Sequence, residues 1–183
     1  MVDGSKRSDH FNAYLYGFWN NKRIVLFDTL LNPEKDIKAE EVLAILAHEL
    51  GHWKSWHVLQ RLLLLELHLF ALFYLFGLVL NSPDFYASFS FPPDTSKFMG
   101  LVLFTLVLTP AEFTINLLVV RLTRSQEFQA DAFAKKVDYG SDMQTALTKI
   151  YKQNSGNMNP DPLYAALYFS HPHLTERLQA LGG

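Results

Sequence analysis

Residues 38–57, KAEEVLAILAHELGHWKSWH, decide how the rest of the chain is read. Glu40 and Glu41 fall in what would be a first helical turn, and Val42, Leu43, Ile45 and Leu46 follow at helical spacing, so a helix is expected over this stretch. On that helix His48 and His52 are four positions apart, so both imidazoles leave from one face and can share one Zn²⁺. Glu49 sits one position on from His48, where a carboxylate reaches a water on the metal rather than the metal itself. A five-residue pattern with three fixed positions also arises by chance in amphipathic helices. Gly51 argues against chance: a helical glycine costs about 1 kcal/mol relative to alanine, which implies that another backbone comes close at that point. The helix is expected to run on through Trp53 towards Leu62.

A catalytic zinc needs a third protein ligand and an open position. Six residues after His52, where a third histidine would extend the motif, stands Val58. His57 is one residue short of that place and is expected on another, exposed or interfacial side of the helix. The alternative is a carboxylate from a second helix, and residues 124–131, RSQEFQAD, offer Glu127 and, one turn later, Asp131. Glu127 would bind the metal and Asp131 would accept a hydrogen bond from a ligand imidazole, fixing its tautomer. Taken alone, such an acidic pair is a solvated helix face. What lifts it above that is the chain between the two motifs.

Within expected spans of 58–80 and 98–120, residues 62–80 and 98–120 are almost continuously apolar; the first run is interrupted by Glu66 and His68, the second by Glu112, with Pro110 as a kink site. About 20 apolar residues span a bilayer core, so both are transmembrane candidates, and the Pro83, Pro92 and Pro93 linker makes them a hairpin. A hairpin returns the chain to the side it left. Lys54, Arg61, Arg121 and Arg124 flank its open ends, whereas the linker holds Asp84 and Asp94 against Lys97, which places the open ends in the cytosol. Glu66, His68, Glu112 and Asn116 are expected to face protein or a watery cavity.

Before the metal motif, residues 12–28, NAYLYGFWNNKRIVLFD, read as a β-hairpin turning at Asn20-Asn21-Lys22. After the apolar hairpin, residues 121–183 turn polar and read as helices over 125–138, 143–151, 162–169 and 174–181. The fold class is therefore mainly α with a small N-terminal hairpin, a single catalytic region of 183 residues around two transmembrane helices. A formal charge of −2 gives no field for nucleic acid, and the absence of cysteine leaves His, Asp and Glu as metal ligands. Ser170-His171-Pro172-His173 and Arg177 lie outside any metal-ligand spacing, and a histidine at a helix start is by default structural.

The chain resembles the integral-membrane, zinc-dependent CAAX prenyl protease family of the endoplasmic reticulum. The likeness rests on GSKRS at 4–8, NAYLYGF, KRIVLFDTLL, EEVLAILAHELGHW, EFQADAFAKK at 127–136 and SHPHLTERLQAL near the end. It implies a gluzincin-like core in which His48, His52 and Glu127 bind zinc and Glu49 is the general base. It further implies that Asp131 is a supporting or proton-donating acid, that His171 and Arg177 lie near the substrate, and that Asn12, Ala13 and Tyr14 form an edge strand along which substrate pairs. The implied activity is removal of the terminal tripeptide from prenylated Cys-a-a-X proteins in contact with membrane lipid. Rival readings are a membrane quality-control zinc protease without a prenyl requirement and a non-catalytic piece that binds prenylated tails. Members of the family are longer, with further transmembrane helices ahead of the matching region, so the chain is expected to be part of such a protein.

Overall fold

The computed structural model describes residues 13–17, 21, 23–26, 37–157 and 160–183. Among them two short strands, β1 (Ala13–Tyr16) and β2 (Arg23–Leu26), pair antiparallel with Ala13 opposite Leu26 and Tyr16 opposite Arg23. Both strands lie within the expected hairpin of 12–28, and the turn placed at Asn20-Asn21-Lys22 lies, apart from Asn21, outside the described residues, as does Asn12. Everything else with regular structure is helical: α1 (Ala39–Lys54), α2 (His57–Leu80), α3 (Pro83–Ala87), α4 (Lys97–Lys136), α5 (Gly140–Gln153), α6 (Pro162–Tyr168) and α7 (Leu174–Gly182).

Two compact units result. One comprises the chain up to His57 together with everything from Val120 onward; the other is the stretch Val58–Val119. In the first unit, α1 starts where the Glu41 carboxylate accepts the Lys38 backbone N–H at 2.9 Å, and Lys149 of α5 donates to the same carboxylate at 2.9 Å. The core sets Met143 and Leu147 of α5 and Leu174 and Leu181 of α7 beside the small residues Ala44 and Ala47 of α1 and Ala134 of α4. Such side chains let helix axes approach closely. Gly51 takes this furthest, because a Cβ there would lie 2.9 Å from Ala130 Cα and 3.0 Å from Phe133 Cβ. The close backbone approach expected from that glycine is thus made against α4. Arg124 ties the C-terminal part down, donating to both Glu176 oxygens at 2.8 and 2.7 Å and to the Ala165 carbonyl at 3.4 Å.

The second unit is the apolar hairpin. α2 has 24 residues, about 36 Å of helix at the usual rise, and both α2 and α4 are long and apolar enough to cross a membrane. Their side chains face outward: Phe73 is 72% exposed and Phe70 70%. At the closed end, Lys97 donates to the Leu80 carbonyl at 2.8 Å and to Asn81 Oδ1 at 2.9 Å. Tyr86 packs on Gly100, where any Cβ would collide with the phenol, and its hydroxyl donates to the Leu80 carbonyl at 3.1 Å. His68 and Glu112 meet at 3.3 Å, and Glu112 and Asn116 line a cavity of about 680 Å³ whose other walls are mostly leucine and phenylalanine.

Three expectations need correction. The metal-motif helix does not run from 38 through 57 into the apolar stretch: it stops at Lys54, and Trp56 takes a left-handed conformation, φ 57°, before α2 begins at His57. The expected pair of helices over 98–120 and 125–138 is one 40-residue helix, because nothing between Val120 and Lys136 breaks helix geometry even though the composition turns polar. The linker is not bare loop but contains α3, capped where Ser82 Oγ accepts the Phe85 N–H at 3.3 Å.

Candidate metal centre

α1 presents His48, Glu49 and His52 on successive positions of its inner face, and the C-terminal part of α4 presents Glu127 and Asp131 one turn apart. The tight seam between Gly51 and Ala130 brings the two sets together. His48 Nε2 and His52 Nε2 are 3.2 Å apart; Glu127 Oε2 is 3.5 Å from the first and Oε1 3.4 Å from the second. Zinc bonds of about 2.0–2.1 Å in tetrahedral array put neighbouring donors about 3.3–3.4 Å apart. The His48–His52 edge is close to that figure, and Glu127 turns one oxygen to each imidazole at a similar distance, so one ion can reach all three residues. Two nitrogens and one carboxylate are also the donor set that suits zinc in a catalytic site with one position left open. Among the described residues this is the cluster able to hold a metal ion.

Behind the donors, His48 Nδ1 donates to Asp131 Oδ1 at 2.8 Å, which leaves the lone pair on Nε2 for the metal. Arg177 of α7 holds Asp131 in turn, with Nε 2.8 Å from Oδ2 and Nη2 2.6 Å from Oδ1. Arg177 Nη2 also lies 3.3 Å from His48 Nδ1, but two donors cannot bond each other, so its work is on the carboxylate. Arg177 is 6% exposed, which sets it behind Asp131. Burial opposes the ionisation of Asp131, yet the Arg177 and His48 hydrogen bonds hold its carboxyl below the ordinary range.

The remaining charges follow the same balance of burial against partners. Burial pushes Glu127 up, but the His48 hydrogen bond and the charges of His171, His48 and His52 outweigh it and bring the carboxyl down to about 2. Burial likewise works against a charged His48, and its bonds to Asp131 and Glu127 still raise it. Glu49 differs from both carboxylates: burial raises it, with the nearby Glu127 charge adding to the effect and His48 opposing it. A carboxyl moved towards neutrality next to a metal-binding cluster has the proton affinity a general base needs. His171 is the exposed member, its side chain 61% open and its Nε2 3.5 Å from Glu127 Oε1. Tyr151 anchors its loop by donating to the Pro172 carbonyl at 3.2 Å.

Sequence reasoning missed His57 and Gln129. His57 was expected at an exposed or interfacial position, yet it is 1% exposed, with Nδ1 2.9 Å from His52 Nδ1 and Nε2 3.2 Å from Gln129 Oε1. The turn at Trp56 swings it back beside α1. The signal available was Gln129, which lies between Glu127 and Asp131 in the same run. Of the expected edge strand, Ala13 and Tyr14 fall within β1, which lies beside α1.

Comparison with known proteins agrees with this geometry. The chain is 45% identical over 184 residues to the CAAX prenyl protease 1 homolog of Arabidopsis thaliana and 40% identical over 196 residues to CAAX prenyl protease 1 of Saccharomyces cerevisiae. These matches take in 100% and 99% of this chain but 42% and 43% of the relatives, so the chain spans less than half the length of the curated proteins it matches. Among solved structures, S. mikatae Ste24p superposes with a TM-score of 0.84 at 38% identity over 99% of this chain and 45% of that one. The family model of peptidase family M48 matches residues 1–183, and with the two-histidine, one-glutamate cluster in place the chain belongs to that family.

Proposed function

We propose that the chain is the catalytic part of a zinc-dependent endopeptidase that removes the C-terminal tripeptide from prenylated Cys-a-a-X proteins at the endoplasmic reticulum membrane, with the site facing the cytosol. The observation that carries the chemistry is the convergence of His48, His52 and Glu127, one donor atom from each lying within 4.8 Å of the others, with the two imidazole nitrogens 3.2 Å apart. Whole-chain similarity to CAAX prenyl proteases supports the substrate class.

Zinc held by these three residues would supply Lewis acidity towards the scissile carbonyl and the attacking water. Glu49 takes the proton from that water and passes it to the leaving amine, a role its raised proton affinity favours. Asp131 fixes the His48 tautomer, and Arg177 keeps Asp131 ionised where burial alone would protonate it. His171, exposed beside the donors, donates to the oxyanion that develops on the carbonyl. Substrate backbone adds as a strand along Ala13 and Tyr14, on the edge of β1 away from β2, with Asn12 preceding them outside the described residues. The two apolar helices hold this unit at the bilayer.

The test is cleavage of a farnesylated Cys-a-a-X peptide by the chain in detergent. Tripeptide release that a chelator stops and zinc restores is the expected result, with the unprenylated peptide left intact. Equal cutting of both peptides would remove the prenyl requirement and favour a quality-control protease. Glu49→Gln is expected to retain one zinc and lose activity by about 10²- to 10⁴-fold. Near-normal turnover by that variant would end the proposed mechanism.

A further inference from the structure

The two imidazoles of the metal centre are supported in different ways. His48 leans on a charged pair, Asp131 backed by Arg177. His52 leans on a second imidazole: its Nδ1 is 2.9 Å from His57 Nδ1, and the two rings meet edge to face with planes 76° apart. His57 Nε2 is 3.2 Å from Gln129 Oε1, and the Gln129 amide nitrogen donates to Ser125 Oγ at 3.3 Å.

These contacts can be solved for protons from the outer end inward. Gln129 turns its carbonyl oxygen to His57 and its amide nitrogen to Ser125, and a carbonyl oxygen only accepts, so in this orientation His57 carries its proton on Nε2. The Nδ1 of a neutral His57 is then a lone pair. A lone pair facing His52 Nδ1 at 2.9 Å requires the His52 proton to be on that nitrogen. His52 Nε2, which points at His48 and Glu127, is left bare.

We propose that His57, oriented by Gln129, is a positioning residue that locks His52 into the tautomer whose Nε2 lone pair faces the metal position. The neutral imidazole does for His52 what Asp131 does for His48, without adding another negative charge to a pocket that already holds Glu127 and Asp131. It also accounts for the chain break that precedes it. A tryptophan at φ 57° is an uncommon conformation, and here it ends α1 and starts α2 one residue later with His57 turned under His52. The inference rests on zinc as the metal of this centre.

Two readouts keep the inference separate from the zinc reading. In the metal-free chain, ¹⁵N-resolved histidine spectra should show His52 protonated on Nδ1 and His57 on Nε2, and in His57→Leu the His52 proton should move to Nε2. Zinc affinity, measured with Zn²⁺ alone against a competing chelator, should fall about 10- to 100-fold in His57→Leu. It should stay near the parent value in His57→Asn, whose side-chain carbonyl can take the Nδ1 proton in the place of the ring nitrogen. Parent affinity in a folded His57→Leu chain, or an equal loss in His57→Asn, would overturn the proposal, since only packing would then be at stake. Should His57→Leu fail to fold, Gln129→Leu leaves the ring in place and is expected to weaken zinc in the same direction by less; unchanged affinity and an unchanged His52 tautomer there would count against the relay. A parent chain that shows both tautomers but binds no zinc would sink the zinc reading and leave the tautomer assignment standing.

Discussion

The two compact units of the chain reverse each other. In the metal-centre unit, Glu41, His48, His57, Glu127, Asp131 and Arg177 are all buried, and the core around them is mostly alanine and leucine. In the hairpin, phenylalanine and leucine face outward and the few polar groups gather at His68, Glu112 and Asn116. Buried charge persists only where each group has partners that restore what solvation gave it, and the first unit meets that condition by linking α1, α4 and α7 through their polar side chains. An outward apolar surface is stable only where the surroundings are apolar too. The contrast shows which contacts hold each unit: a charge network in one, apolar surroundings in the other.

That contrast can be broken most severely at Asp131. Asp131→Ala leaves Arg177 buried and unpaired, which is expected to destabilise the metal-centre unit by about 3–5 kcal/mol. Thermal melts followed by circular dichroism would show it, and a shift of under a degree would mean that the network carries little. The matching break in the hairpin is Leu67→Arg, at an outward position near the middle of α2. A charge there should cost about 2.5–3.5 kcal/mol of bilayer insertion, read by glycosylation mapping, while leaving zinc affinity unchanged.

Gly51→Ala sharpens the comparison from the packing side. Its new methyl would sit 2.9 Å from Ala130 Cα, so overpacking exceeds the helix-propensity gain and the net loss is about 1–2 kcal/mol. Zinc affinity should drop with it, because α1 is moved off α4; a more stable variant with full affinity would contradict this. The smallest expected effect is acid sensitivity of the metal-free chain. Glu127 is lowered in the fold from 4.5 to about 2, so its contribution is present above 4.5 and is lost as pH falls towards 2. Asp131 is lowered too and has the same sign. His48 is raised, so its contribution is already complete below 6.5 and does not offset the loss. Melting temperature should therefore decline between about pH 5 and pH 3.5 by the equivalent of about 1 kcal/mol, and a flat profile would show that these carboxylates gain nothing from their partners.

Much of the site was legible because its signals are local. His48, Glu49 and His52 show on one helix face, Gly51 announces a close neighbour, and Glu127 with Asp131 repeats at one helical turn. What escaped depends on contacts made across the fold. Trp56 carries no glycine or asparagine signal for a left-handed turn, so the turn was not foreseen and His57 could not be placed. The continuity of α4 was hidden for the opposite reason: a change in composition at Arg121 looked like a boundary where the backbone has none. Arg177 shows only its charge in the sequence; that it lies behind Asp131 follows from α7 being strapped to α4 through Arg124 and Glu176.

The paired bonds that join α1 to α4 also set an order of events. His48 and Asp131 are 83 positions apart, so their meeting closes a long loop, and a flexible loop of that size resists closure through its entropy. Helices α2 and α4 take up most of that loop, so fewer residues are free to oppose closure than the separation suggests. His48, Glu49 and His52 are synthesised well before Glu127 and Asp131, and neither set alone supplies the three donors of the metal cluster, so the centre exists only once both stretches have been made and brought together.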